Sequence, residues 1–289
     1  MFREGKRLLI VKAVELACLL EASSRKPGNV CPFRNFSEMG YTDFLFAAVN
    51  LGNTIYNVDR LTVGELIYNA LERTFREVKV NVSLGIVLLL VPLAKAYWIS
   101  KKDTLLRDNL KYILNSLTIN DADLVYKAIK IVKPGGMGTV EKGDIEDKPD
   151  ITLKEAMDMA KYRDSIAYEY TSNYKITFEF LYPRFCSYKT ELNWEETIVQ
   201  VFLELLAEIP DTLVARKYGM LVAKDVSSKA RDIVDIGGIR TKEGREAISL
   251  FDDYLRDSNR KLNPGASADL IASGIMVYLL KNMKGRYVF

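Results

Sequence analysis

Histidine is absent from the 289 residues. That excludes Ser-His-Asp and Cys-His triads and every His-ligated metal site, and it leaves proton transfer to Asp, Glu, Lys, Tyr or Cys. Cysteine is scarce: Cys18, Cys31 and Cys186 are odd in number and far apart, with no Cys-x-x-Cys pair. This spacing argues against a disulfide framework and suits reduced thiols, so the cytoplasm is the expected location. Blocks of like charge are missing, and 41 basic residues against 38 acidic ones give a net charge of only +3. A nucleic-acid partner is therefore not expected. Long apolar runs are missing too. The most apolar stretch, Val82 to Ala94, contains Pro92 and falls short of the roughly 20 residues that span a bilayer. It is expected to be a buried helix, with no membrane partner. Lys12 and Glu15 interrupt the N-terminal apolar stretch, which has no small-residue cleavage site, so no export signal is expected.

What is present is apolar residue at helical spacing. Hydrophobic residues make up 48% of the chain, ample for a large core. Leu9, Ala13, Leu16 and Leu20 form one stripe, and Leu153, Met157, Ala160 and Ala167 another. Strand-like alternation is confined to Tyr174–Phe180, where the helix that precedes it favours helical continuation. Thr62 with Glu65 and Thr152 with Glu155 fit capping boxes, and Asn263-Pro264 fits a helix start. With no internal repeat and no low-complexity linker, the expectation is an all-α, single multi-helix globular domain over residues 1–289, with about ten to thirteen helices.

Two connections are long enough to carry function, Ser23–Gly40 and Lys133–Asp150. In the first, Lys26 and Asn29 flank Pro27-Gly28 and could offer a cation and an amide to a phosphate or ribose; a plain helix stop and turn explains them as well. Asp164 falls on the stripe Leu153, Met157, Ala160, Asp164, Ala167, so its carboxylate needs a partner, either a structural ion pair or a site. Asp211 caps a helix whose Thr212 and Arg216 share a face, with Lys217 beside them. Arg260 and Lys261 precede Asn263-Pro264-Gly265 and a helix containing Asp269, an arrangement open to an anion or to a simple cap. Pro134-Gly135-Gly136-Met137-Gly138 lacks the Gly-Lys-Ser/Thr ending of a P-loop and reads as a flexible loop. Glu65 taken alone is the reciprocal half of a capping box.

Taken in order, LEASSRKPGNV (20–30), FSEMGYTDFLFAA (36–48), VGELI (63–67), VNVSLGIVLLLVPLAKA (80–96), DADLVYKAI (121–129), KPGGMG (133–138), TLKEAMDMAKYRDSIAYEY (152–170), IPDTLVARKYG (209–219) and LNPGASADLIAS (262–273) resemble the triphosphoribosyl-dephospho-CoA synthase family, in its archaeal type. The resemblance implies an all-α fold and transfer of the triphosphoribosyl group of ATP to the ribose 2′-hydroxyl of dephospho-CoA, or a related acceptor, with release of adenine. It also implies small-molecule nucleotide partners and Mg²⁺ with the triphosphate. By the same resemblance Asp43, Asp164, Asp211 and Asp269 are the expected catalytic residues, with Asp164 and Asp211 as metal ligands. Lys26, Asn29, Glu65, Asn81, Arg216, Lys217 and Asn263 are the expected nucleotide-binding residues. This chain departs from the family in Asn81-Val82-Ser83, which lacks a hydroxyl next to Asn81, and in having none of the histidines of bacterial members. Two other classes stay open at this point: a Mg²⁺-dependent nucleotide phosphohydrolase, and a non-catalytic nucleotide-binding helical module. A homo-oligomer also stays open, because an apolar helix face serves a core and a dimer interface alike.

Overall fold

The 3.6-residue spacing of apolar side chains produces fourteen α-helices among the described residues, which are 2–101, 104–134, 148–257 and 261–283 of a computed structural model. In chain order they are α1 (Phe2–Ser23), α2 (Tyr41–Ile55), α3 (Val63–Val78), α4 (Leu84–Ile99), α5 (Leu106–Asn115), α6 (Ile119–Val132) and α7 (Leu153–Ala160). The second half holds α8 (Ser165–Ser172), α9 (Tyr182–Tyr188), α10 (Trp194–Glu208), α11 (Thr212–Tyr218), α12 (Met220–Asp235), α13 (Lys242–Leu255) and α14 (Gly265–Asn282). No strand occurs among the described residues; the one extended pairing is an isolated bridge between Cys31 and Arg34. The all-α expectation therefore holds, and the helix count slightly exceeds the expected range. No helix among the described residues is long and apolar enough to cross a membrane.

The extra helix comes from a break that the apolar stripe conceals. α7 ends at Ala160, and Asp164 starts α8 by accepting the backbone N–H groups of Ile166 at 2.8 Å and Ala167 at 3.3 Å. Asp164 is thus an N-cap between two short helices, and the expectation that it sits mid-helix facing the core is corrected. The capping boxes at Thr62/Glu65 and Thr152/Glu155 form as expected. Gly135 to Gly138 lie outside the described residues, as does Arg260.

One cluster of buried side chains runs through all fourteen helices. Its axis is α4, apolar on every face and packed on α1, α3, α5 and α14. Pro92 lies inside α4 and has no N–H, which deprives the Leu88 carbonyl of its helical donor. The Tyr170 hydroxyl supplies one at 2.7 Å, and the Tyr174 hydroxyl donates to the next carbonyl, Leu89, at 3.0 Å. Asn173 and Tyr174, both in the left-handed region with φ 55, break the helix that the sequence suggested would continue. The chain resumes as a π-helical turn over Ile176–Leu181, so the segment is helical as expected but not continuous with α8. The buried Glu169 carboxylate takes the place of the missing carbonyl acceptors, receiving the N–H groups of Ile176 and Thr177, each at 2.9 Å, and the Thr177 hydroxyl at 2.6 Å.

Candidate active site

The apolar face of α1, made by Ile10, Ala13, Val14, Ala17 and Cys18, continues one turn further into Glu21, which is buried. A carboxylate there needs a partner, and the loop that follows provides it. Lys26, also buried, turns back so that Nζ lies 2.9 Å from Glu21 Oε1 and donates to the Glu21 and Ser24 carbonyls. Glu21 Oε2 is left with no partner. The return of the chain depends on Gly28, at φ 76, where a Cβ would press on Leu255 and Pro264. Asp252 of α13 accepts the Gly28 N–H at 2.7 Å, and the Arg256 guanidinium donates to the Asn29 carbonyl. These bonds hold the loop from outside while Asn29 reaches inward, its Nδ2 donating to Asn263 Oδ1 at 2.7 Å. Asn29 Oδ1 is buried and unpaired.

The opposite wall is built by three aspartates at helix starts. Asp211 caps α11 through the N–H groups of Leu213 and Val214, both at 2.9 Å, and it also holds Ser267 of α14 through its N–H at 2.7 Å and its hydroxyl at 2.8 Å. Asp164 gives its second oxygen to Arg216 Nη1 at 2.6 Å, while Arg216 Nε stays buried without an acceptor. Thr212 ties the two segments together, bonding the Ser165 backbone and hydroxyl. Asp269, one turn into α14, differs from both: among the described residues it receives no hydrogen bond, and it packs against Gly85 in the first turn of α4, where any Cβ would collide with its carboxylate. Asn81 accepts the Leu84 N–H at 3.2 Å at the start of that same helix. Burial pushes the Asp269 carboxyl well above the usual carboxylate range; Glu21, Asp211 and Asp164 add to the rise and Arg216 opposes it. The neighbouring Cys18 thiol is also pushed up, by burial first and then by Glu21, Glu15 and Asp269.

Hydrogen bonds, ion pairs and electrostatic coupling thus tie Lys26 to Glu21, Asn29 to Asn263, Asp164 to Arg216, and Asp269 to Glu21, Asp211, Asp164 and Arg216, around a candidate recess at the N-terminal ends of α11 and α14, with Asn81 and Gly85 at the start of α4 beside it. Glu21 joins them and was missed by sequence reasoning, although its register with the buried face of α1 was a readable signal. Three expected residues stand apart. Glu65 spends Oε2 on its own cap, the Thr62 N–H at 2.7 Å, and its electrostatic neighbour is Lys95. Lys95 is ten residues along α4 from Gly85, about 15 Å at the helical rise. Asp43 caps α2 through the Gly40 N–H at 2.8 Å, next to Phe44, which lines a small recess shared with Glu21 and Ser83. Lys217 is exposed on α11.

The donor set does not resemble a metal cage. Among the described residues no three Asp, Glu or Cys side chains gather closely enough to hold an ion. All four lone-pair positions of Asp211 are taken by hydrogen bonds, and both oxygens of Asp164 are engaged. The expected metal pair, Asp164 and Asp211, is thus built as two helix caps. What the recess does offer is an unpaired carboxylate oxygen, an unpaired amide oxygen, an unpaired guanidinium N–H and a carboxyl biased toward its protonated form. Helix N-termini beside them favour anions.

The CitG family, described as ATP:dephospho-CoA triphosphoribosyl transferase, matches residues 8–287. A curated relative from Malonomonas rubra, named as a probable 2-(5''-triphosphoribosyl)-3'-dephosphocoenzyme-A synthase, is 30% identical over 90 residues. That alignment covers 31% of this chain and only 28% of the relative. A crystal structure from Archaeoglobus fulgidus, of a candidate triphosphoribosyl-dephospho-CoA synthase, superposes with a TM-score of 0.65 at 26% identity, covering 82% of this chain and 99% of the other.

Proposed function

The chain belongs to the ATP:dephospho-CoA triphosphoribosyl transferase family, and from that premise we propose that it transfers the triphosphoribosyl group of ATP to the ribose 2′-hydroxyl of dephospho-CoA or a close analogue, releasing adenine. The bond from C1′ to the base nitrogen breaks, C1′ bonds to the 2′-oxygen, adenine gains a proton and the 2′-hydroxyl loses one. In chemical terms this is glycosyl transfer, which needs an acid for the leaving group, a base for the nucleophile and stabilisation of an oxocarbenium-like centre. The observation that carries the reading is that Glu21 and Arg216, each with an unpaired buried atom, Oε2 and Nε, flank the donor-free carboxyl of Asp269, while the unpaired Asn29 Oδ1 lies on the loop that Lys26 ties to Glu21.

In this reading Asp269, whose carboxyl pKa is raised by burial and by neighbouring carboxylates, gives a proton to departing adenine. Glu21, fixed by Lys26, turns its free oxygen to the 2′-hydroxyl. Arg216, held by Asp164, directs Nε to a phosphate oxygen, and Asn29 with Asn263 positions a ribose. Lys26 acts by orienting Glu21, since its own ammonium is spent on protein acceptors. Mg²⁺ is proposed only as the companion of the triphosphate, because Asp164 and Asp211 do not fit as a protein-held pair, and no step is routed through it. The cytoplasm, where ATP is plentiful and the free thiols of Cys18 and Cys31 stay reduced, is the proposed location. The test is chromatographic detection of adenine after incubation with ATP and Mg²⁺, with and without dephospho-CoA. Adenine that depends on dephospho-CoA supports the transferase; ADP or AMP in its place means phosphohydrolase chemistry and sinks it.

A further inference from the structure

A cavity of about 560 Å³ borders the Arg25–Asn29 loop and is lined on its other sides by residues of α10 and α13 and by Ile239. None of the roles assigned above uses it. We propose that it receives the diphosphate and pantetheine arm of the acceptor; the proposal rests on the transferase reading.

The chemistry of the lining is that of an anion site with an apolar floor. Cys31, Val199, Ile239 and Ile248 supply the floor, and five basic side chains face three acidic ones. Three of the cations, Arg25, Arg34 and Arg245, are 63%, 45% and 49% exposed and sit at the rim. Each commits a single nitrogen to protein carboxylates: Arg25 Nε to Glu195, Arg34 Nη1 to Asp252 and Asp253, and Arg245 Nη2 to Glu196. The other nitrogens of all three have no partner among the described residues. A guanidinium fixed at one corner with spare donors at the others is pre-organised for the paired oxygens of a phosphate. The volume falls within the roughly 300–1,000 Å³ of small-molecule pockets.

Position selects the acceptor over ATP. For the acceptor's 2′-hydroxyl to meet Glu21 and Asp269, its adenosine end must enter the recess, and the long arm on its 5′-diphosphate must leave it. Lys26 lines this cavity while its ammonium holds Glu21 in the recess. Asp252 and Arg256, also in the cavity wall, hold Gly28 and Asn29. The two spaces thus share one loop as their wall. The arm is an anionic link followed by an amide-rich chain of modest polarity, matching a basic rim over an apolar floor, and ATP has no such part.

The test uses the full chain and two variants outside the transfer machinery. Arg245→Ala removes a rim cation, and Ser249→Trp fills the mouth from an exposed position that lines it. Equilibrium titrations are run with 4′-phosphopantetheine, dephospho-CoA and ATP, and melting curves confirm the fold. The expected result is that unmodified protein binds 4′-phosphopantetheine. Both variants then lose affinity for it and for dephospho-CoA by roughly tenfold or more, the scale of a lost charge-assisted contact, with ATP affinity unchanged. Unchanged dephospho-CoA affinity in both variants overturns the proposal, and so does an equal loss for ATP. The two readings fail separately. Loss of 4′-phosphopantetheine binding in Ser249→Trp supports the cavity even if no adenine is ever released. Adenine release by both variants at an unchanged KM for dephospho-CoA removes the cavity and leaves the transferase in place.

Discussion

Asp211 and Asp269 are both carboxylates near the start of α14, the first fully buried and the second half-buried, and burial raises the carboxyl pKa of each. Asp211 receives four hydrogen bonds, two from α11 and two from Ser267. Asp269 receives none from the described residues, and only the missing side chain of Gly85 makes room for it. A buried carboxylate whose lone pairs are all filled by its own chain stabilises the fold. A half-buried one left without a donor from its own chain is free to meet a ligand or to exchange a proton. In the proposed function the contrast divides the recess into a frame, made by Asp211, Asp164 and Lys26, and working groups, made by Asp269, Glu21, Asn29 and Arg216 Nε.

The sharpest way to break this division is Asp269→Asn, which keeps the shape and removes the proton carrier. Adenine release should fall by about 10²–10⁴-fold, the usual worth of a general acid or base, with little change in melting temperature. A loss of stability with activity retained would place Asp269 in the frame. Lys26→Met should act the other way: it strands Glu21 as an unpaired buried charge and should destabilise the protein by about 3–5 kcal/mol in urea titrations. Adding Glu21→Gln should recover part of that stability without recovering activity. Asp211→Ala frees four donors at two helix starts and should cost about 2–4 kcal/mol. An Asp211→Ala protein of native stability would contradict the frame assignment.

Glu169 extends the comparison to pH. Its carboxyl accepts three hydrogen bonds yet is raised from 4.5 to about 7, chiefly because burial outweighs the bonds from Thr177 and Ile176. The folded state therefore keeps the proton at pH values where the unfolded chain has lost it. Its contribution is full below about pH 4.5 and is lost as pH rises through about 7. Stability should drop by up to about 3 kcal/mol across that window, and Glu169→Gln should flatten the drop in denaturant titrations at stepped pH.

Sequence revealed what depends on neighbours a few residues away. The helices follow from 3.6-residue spacing, the Thr62 and Thr152 caps from the acid three residues on, and burial of α4 from its uniform apolarity. It could not reveal what depends on distant partners. The acceptor freed by Pro92 in α4, the Leu88 carbonyl, is met by Tyr170, 82 residues later. Asp164 broke the reading of its own stripe, because an aspartate at helical register and an aspartate that starts a new helix look alike in one dimension. Whether Asp211 or Asp269 is satisfied turns on Ser267 and Gly85, 56 residues from one and on another helix from the other. Glu21 was within reach, in phase with the core face of α1, but the Lys26–Asn29 turn beside it drew the functional reading to the loop.

The most direct test of the central claim follows adenine, ADP and AMP in one assay with ATP, Mg²⁺ and dephospho-CoA, comparing the unmodified protein with Asp269→Asn. Adenine release that requires dephospho-CoA and collapses in Asp269→Asn while Asp269→Asn stays folded is the predicted result. Equal adenine release from both proteins, or ADP or AMP with no adenine, would contradict the account.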